Sequence, residues 1–267
     1  MHFSDIELAR RLESAEAAAG ARFVEARARV SPASRADWLE IAGAYAIFDG
    51  ADSPITQSFG LGIHAPALPR DLDQLEAFFQ SRGAPVSHEV SPLAGVELAA
   101  VLVARGYSPI EFTSVMYRTI ESPPPESAAA SIRTRRVAAG EESLWSRLSA
   151  EGWGDSPELR EFLLDLGIVI AASEGSIAFI AEQDDQPIAT GSLRCANGVA
   201  LFAGASTLPH ARNQGAQRAL LEARMRHAAR EGCDLAMMCA SPGSASQRNA
   251  ERQGFRIAYT RTKWCKH

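Results

Sequence analysis

The sequence predicts an α+β protein built in α/β layers, with a mixed central sheet flanked by helices. Three observations lead there. Apolar residues switch repeatedly between a period of two and a period of 3.6 along the C-terminal half. Three consecutive prolines interrupt the chain near its middle. The two halves close on similar patterns of helix, glycine-aromatic exit and strand.

At 267 residues, 46% hydrophobic and 22% charged, the chain can fill one large core or two ordinary ones. A formal charge of −5, with no long Lys/Arg block, argues against nucleic acid as a partner, because that affinity rests on clustered cations. The opening MHFSDIELARRLESAEAAAG is amphipathic and acid-bearing and lacks the basic start and apolar stretch of a secretory signal, so a cytoplasmic location is expected. The most apolar run, Phe162 to Ala172, holds Asp165 and is shorter than the ~20 residues of a bilayer span, so no membrane partner is expected. Cys195, Cys233, Cys239 and Cys265 form no C-x-x-C pair and stand near no histidines at zinc spacing; reduced thiols and no metal are expected.

The stretch Glu121-Ser-Pro-Pro-Pro-Glu-Ser-Ala-Ala-Ala130 cannot continue a strand or helix through its prolines and reads as a linker. It divides a domain of residues 1–120 from one of residues 131–267. In the second, Ser131 to Val137 alternates like an edge strand, and Glu141 to Gly152 and Ser156 to Ala172 carry helical spacing. Strands follow at Ser176 to Glu182, Pro187 to Arg194 and Val199 to Thr207. A helix over Gly215 to Arg230 exits at Gly232 into the apolar strand Leu235 to Cys239. The helix Ser244 to Gln253 stops at Gly254, ahead of an extended stretch from Phe255 to Lys266.

The first half ends alike, with a strand end at His88 to Pro92, a helix over Gly95 to Arg105 and a strand through Arg118. Ser91-Pro92 answers to Ser241-Pro242, Gly106-Tyr107 to Gly254-Phe255, and Phe112-Thr113 to Tyr259-Thr260. Such spacing suggests a repeated supersecondary unit.

The stretch from Pro209 to Arg218 carries the clearest chemistry. A strand ends before it and a helix starts at Gly215, so the amides of Gln214, Gly215, Ala216, Gln217 and Arg218 gather at the positive end of a helix dipole. Glycine lets an anion approach the backbone, and Arg212 and Arg218 can add charge-assisted hydrogen bonds. A Walker loop fails because Ala216 and Gln217 follow the glycine, and a dinucleotide fingerprint lacks its spaced glycines. Gly204-Ala-Ser206-Thr-Leu208 lacks the closing glycine of a nucleophile elbow.

Arg212-x-x-Gly215-x-Gln217, with Pro209 ahead and Ala219-Leu220-Leu221 behind, resembles the pyrophosphate loop of the GCN5-related N-acetyltransferases (GNAT superfamily). Ser244-Ala-Ser-Gln-Arg-Asn-Ala-Glu-Arg-Gln-Gly-Phe255 is similar to that family's second cofactor helix, and the likeness spans about Ser131 to Lys266. It implies a tandem acetyltransferase-like fold with a degenerate N-terminal copy, and acetyl-CoA as cosubstrate. Pyrophosphate would sit on the amides of Gln214 to Arg218, and pantetheine would run beside Ser206, Thr207 and Leu208. Asn249 would contact the pantetheine arm or stand as a solvated helix residue, and the thioester would enter a splay between the strands ending at Thr207 and Cys239.

Two departures stand out. Gln217 occupies a position where the motif carries glycine or alanine, and Ala250 replaces the family's frequent tyrosine acid. The expected reaction is acetyl transfer to a primary amine, small-molecule or peptide, in which holding the reactants together supplies much of the rate. Tyr259 is the substitute acid to weigh, Glu151 or Asp155 the amine contacts, and Cys239 a strand-end thiol; each also reads as structural. Trp153, between Gly152 and Gly154, stands where the family often shapes its acceptor pocket and reads either as a wall of that pocket or as simple packing. The different-class alternative is a non-catalytic acyl-CoA-binding or regulatory protein, suggested by Ala250. In the first half, Gly60-Leu-Gly62 reads as part of an apolar strand and Asp71 as a helix N-cap, with no phosphate loop between Ile55 and Phe79.

Overall fold

Asp5 begins the first helix by accepting the Leu8 amide proton on its carboxylate at 2.9 Å, which satisfies one of the free donors of α1 (Ile6–Val30). The computed structural model describes residues 4–121, 131–153 and 157–267. By internal contact the chain divides into two compact units: Met1–Arg118 with Cys239–His267, and Thr119–Met238. The linker expected at 121–130 lies, from Ser122 onward, outside the described residues, beside the first of these borders. The second border, at Met238/Cys239, has no counterpart in the sequence reading.

The first unit holds β1 (Asp37–Ile41), β2 (Ala44–Phe48), β3 (Gln57–Phe59), α2 (Pro69–Gln80), β4 (Val86–Val90), α3 (Val96–Ala104) and β5 (Ser108–Thr119). From the chain's far end come α7 (Ala245–Arg252) and β11 (Arg256–Lys266). Its strands run in the order β1-β2-β3-β4-β11-β5, antiparallel throughout except for the parallel pair β3/β4. Strand period two sorts the side chains of β2: Ala44, Ala46 and Phe48 join a core with Leu72, Leu75, Phe79, Leu98 and Leu102 of α2 and α3. Ile47 points the other way, toward Gly20 of α1, where a Cβ would collide with its Cδ1. Helices therefore cover both faces.

The second unit holds β6 (Ile132–Arg136), α4 (Glu142–Trp153), α5 (Pro157–Ala172), β7 (Ser176–Gln183), β8 (Gln186–Ala196), β9 (Val199–Thr207), α6 (Ala216–Arg230) and β10 (Leu235–Ala240), whose last two residues count with the first unit. The sheet order is β10-β9-β8-β7-β6, with only β10/β9 parallel. Trp145 of α4, fully buried, packs with Leu148 and Ile180 and donates its indole N–H to the Phe179 carbonyl at 3.1 Å. On the other side Phe179 meets the His227 ring of α6 edge-on.

In chain order, β6 to β11 give strand, two helices, three strands, helix, strand, helix, strand, as the hydrophobic periods predict. The elements β3-α2-β4-α3-β5 repeat the order β9-α6-β10-α7-β11, and the two helix exits share hydrogen bonds. Tyr107 N–H reaches the Leu102 carbonyl at 3.0 Å and Phe255 N–H the Ala250 carbonyl at 3.1 Å, each after a glycine at positive φ (88° and 81°).

Two first-half readings are corrected. Gly60 and Gly62, at φ +79° and +77°, form a turn after β3, because positive φ breaks the extended backbone that the apolar run suggested. Asp71 is the third residue of its helix instead of the N-cap: its carboxylate accepts the Leu68 amide proton at 3.0 Å.

Candidate functional site

The site of the second unit begins with a defect in a strand. Thr190 pairs with Ser206 and Ser192 with Ala203, so Gly191 on β8 faces two residues, Gly204 and Ala205, on β9. Gly204 takes φ +58°, and the resulting bulge bends β9 before its last two residues. The parallel ladder to β10 involves only Val199, Ala200 and Leu201. From Phe202 onward β9 is not paired with β10.

The bent end is held from three sides. The Ser206 and Thr190 hydroxyls share a hydrogen bond of 2.8 Å. Gly152 of α4 lies so close that a Cβ would fall 2.6 Å from the Ser206 Oγ and 2.9 Å from the Thr207 nitrogen. Gln217 folds back and donates its side-chain amide to the Ser206 carbonyl at 2.7 Å and to Thr207 Oγ1 at 2.9 Å. Ser206 is buried and its hydroxyl is engaged by Thr190.

Beyond Leu208 a short turn (Pro209–Ala211) leads to Arg212, Asn213 at φ +62° and Gly215 at φ +93°. The first intrahelical bond of α6 is Ala219 N–H to the Gly215 carbonyl at 3.0 Å, so the amides of Ala216, Gln217 and Arg218 precede the ladder. No side chain caps them and the first turn carries no acid. A Cβ on Gly215 would meet nothing within 4 Å. The glycine is thus required for its left-handed backbone, and the space beside it is open, whereas Ala216 is buried.

The expected arginines act differently from one another. Arg212 donates to the Thr207 carbonyl at 3.3 Å and to the Gly152 carbonyl at 3.0 Å, which ties the loop to β9 and α4. Arg218 projects outward and pairs with Glu222 at 2.9 Å. Gln214 turns its side chain back to the His210 carbonyl. Trp153, 56% exposed, follows directly on Gly152 and so stands at the edge of this cluster. Glu151 is exposed beside it, and Asp155 lies outside the described residues.

The remaining expected residues fall in the first unit. Asn249, on the exposed side of α7, accepts from Arg252. Tyr259 is buried and donates its hydroxyl proton to Glu13 at 2.7 Å, in a cluster where Arg261 also meets Glu13, Glu16 and Glu89. Burial raises the Tyr259 pKa, and Glu13 adds to the rise, so the phenol is a weak acid there. Cys239, donating to Glu16 at 3.4 Å, is likewise pushed upward by burial. Both hydrogen-bond to acids of α1.

Sequence reasoning missed the bulge, the Gly152 contact, the Gln217 fold-back and a buried arginine, Arg224. Glycines inside two strand patterns, Gly191 and Gly204, were the available signal for the bulge. Among the described residues no His/Cys/Asp/Glu group suits a metal, and no helix is long and apolar enough to cross a membrane.

Residues 140–255 match the model of the acetyltransferase (GNAT) family. No curated protein matches the chain. Among solved structures, a GCN5-related N-acetyltransferase from Kribbella flavida is similar over 91% of this chain and 94% of its own, with 18% identity and a TM-score of 0.64. One from Sphaerobacter thermophilus is similar over 86% and 75%, with 17% identity and a TM-score of 0.58. A tandem GNAT protein from the clavulanic acid biosynthesis pathway is similar over 84% and 78%, with 13% identity and a TM-score of 0.57. These likenesses share the fold, and the match to the acetyltransferase (GNAT) family model falls on residues 140–255, the part of the chain that holds the start of α6.

Proposed function

We propose that the chain transfers an acetyl group from acetyl-CoA to a primary amine and that one cosubstrate binds, on the residues around the start of α6. The observation that carries this reading is the uncapped start of α6 at Ala216 to Arg218, beside the open space at Gly215 and after a strand that departs from its parallel neighbour. A diphosphate fits such amides because they donate hydrogen bonds at the positive end of a helix dipole. The pantetheine arm would follow Ser206, Thr207 and Leu208, with Asn249 as a further contact.

In the reaction the lone pair of a neutral amine attacks the thioester carbonyl carbon, the C–S bond breaks, and the electron pair leaves on sulfur. The amine loses a proton and the thiolate gains one. The chain's residues act mainly by holding both reactants, since Ala250 offers no acid and the Tyr259 hydroxyl is engaged with Glu13. Trp153 would line the acceptor side.

In the same reading residues 1–120 are a degenerate copy that binds no acyl-CoA, and residues 131–267 form the acyl-CoA-binding domain. Two features of the first unit support this. The carboxylate of Asp71 already takes the Leu68 amide at the start of α2, where phosphate would be repelled. Arg261 reaches both the Phe59 ring at the end of β3 and Glu89 on β4, so a buried, ion-paired side chain lies against the ends of those parallel strands. Calorimetric titration of the intact chain with acetyl-CoA tests the proposal: one site per chain is expected, and two sites or none would overturn it. Thioester turnover with a panel of amines then separates an enzyme from an acyl-CoA-binding regulator.

A further inference from the structure

Arg224, on the inward face of α6, is 3% exposed and among the described residues pairs with no carboxylate. Its guanidinium is held by backbone oxygens instead. Nε donates to the Leu220 carbonyl at 3.2 Å, and Nη1 donates to the Ser192 carbonyl at 3.1 Å and the Ala203 carbonyl at 3.4 Å. The plane also lies over the Phe202 ring, with its central carbon 5.1 Å from the centroid.

These contacts converge on one place. Ser192 and Ala203 are the last regular pair before the bulge, and Gly191 is the residue opposite the two bulged ones. A Cβ on Gly191 would lie 2.9 Å from the Arg224 central carbon, so the glycine leaves room for the guanidinium. Burying an unpaired cation is costly, and a side chain kept for stability alone would be better replaced by an apolar one, except that carbonyls at the interruption would then lose their donor. Burial lowers the Arg224 pKa to about 10, which still leaves it charged at neutral pH.

We propose that Arg224 is a positioning residue for the acyl-CoA site: by bridging β8 and β9 at the bulge it fixes the direction in which Ser206, Thr207 and Leu208 leave the sheet. The proposal rests on the reading that these residues cradle the thioester arm. A displacement of the strand end by about 1 Å is enough to matter, because misplacement of that size can cost up to about a hundredfold in rate.

Three variants of the full chain test it: Arg224→Lys, which keeps charge but cannot span both carbonyls, Arg224→Met, and Gly191→Ala, which displaces the guanidinium without altering it. Val169→Ala, a cavity variant on α5, serves as a control for lost stability. Amide hydrogen exchange at residues 203–207 of the ligand-free chain reads the bulge, and calorimetry with acetyl-CoA reads the consequence. The expected result is faster exchange confined to 203–207 and about tenfold or more weaker acetyl-CoA binding in the Lys and Ala variants, with binding unchanged in a control of similar melting temperature. Unchanged exchange, or unchanged affinity in folded variants, overturns the proposal, as does an equal loss of affinity in the control. If the unaltered chain binds no acetyl-CoA, the acyl-CoA reading itself fails, and the positioning role fails with it whatever the exchange data show. Should Arg224→Met not fold, the Lys and Gly191→Ala variants decide.

Discussion

The side-chain amide of Gln217 donates to the Ser206 carbonyl across 2.7 Å, so the first turn of α6 is bonded to the end of the strand that precedes it. A side chain larger than the motif's glycine or alanine is accommodated by turning it away from the open space above the helix start.

Gln217→Glu and Gln217→Ala should therefore diverge. Glutamate cannot donate to the Ser206 carbonyl and sets a negative charge beside the amides meant for phosphate, so acetyl-CoA affinity should fall more than about tenfold. Alanine restores the residue type of the motif and should stay within about threefold of the parent. Calorimetry on both checks this; equal affinities for the Gln217→Glu variant and the parental chain would remove the phosphates from this helix start.

Gly215→Glu should abolish acetyl-CoA binding and lower the melting temperature by several degrees while the chain stays folded. The position is open, so no core contact is lost, but a carboxylate would occupy the anion's place and the left-handed backbone would be strained by a Cβ. Retained affinity in a folded variant would contradict the site.

Tyr259→Phe should lower turnover by less than about tenfold, below the hundredfold or more of a lost positioned acid. Its effect should appear in stability, by about 1–3 kcal/mol, because the buried Glu13 carboxyl loses a donor. A hundredfold fall in turnover with normal acetyl-CoA binding would make Tyr259 the proton donor.

His88 predicts a pH effect. Fully buried between the Ser58 hydroxyl at 2.7 Å and the Tyr107 hydroxyl at 3.1 Å, it has its pKa lowered by burial to about 4. The unfolded chain then takes up this proton first, so the contribution of neutral His88 is complete above about pH 6.5 and is lost as pH falls toward 4. Glu13 and Glu89, whose pKa values burial raises, act in the opposite sense. The difference between parent and His88→Gln isolates the histidine: denaturant midpoints should converge as pH drops from 6.5 to 4, and parallel curves would refute the assignment.

The order of elements in the second half, and the loop from Arg212 to Arg218, were legible in sequence because both depend on local signals: hydrophobic period, a strand-ending proline and a glycine at a helix start. The membership of β11 was not. Nothing local in Arg256 to Lys266 distinguishes pairing with β10 from pairing with β4 and β5, since an alternating strand fits several neighbours. Tyr259 shows the same limit, for its partner Glu13 lies 246 residues away along the chain. Arg224 looked like one more cation on an amphipathic helix, and only the bulge beneath it gives the charge a place.

The insertion of β11 between β4 and β5 also sets an order of events during synthesis. Residues 86–119 can be complete long before Arg256 to Lys266 emerge, yet the gap between their strands is closed only by that segment. Until then both facing strand edges carry unpaired backbone groups, which is where a chaperone would engage and where premature pairing between nascent chains would start. A fragment ending near residue 122 would keep those edges permanently bare, so the first half can be judged only in the intact chain.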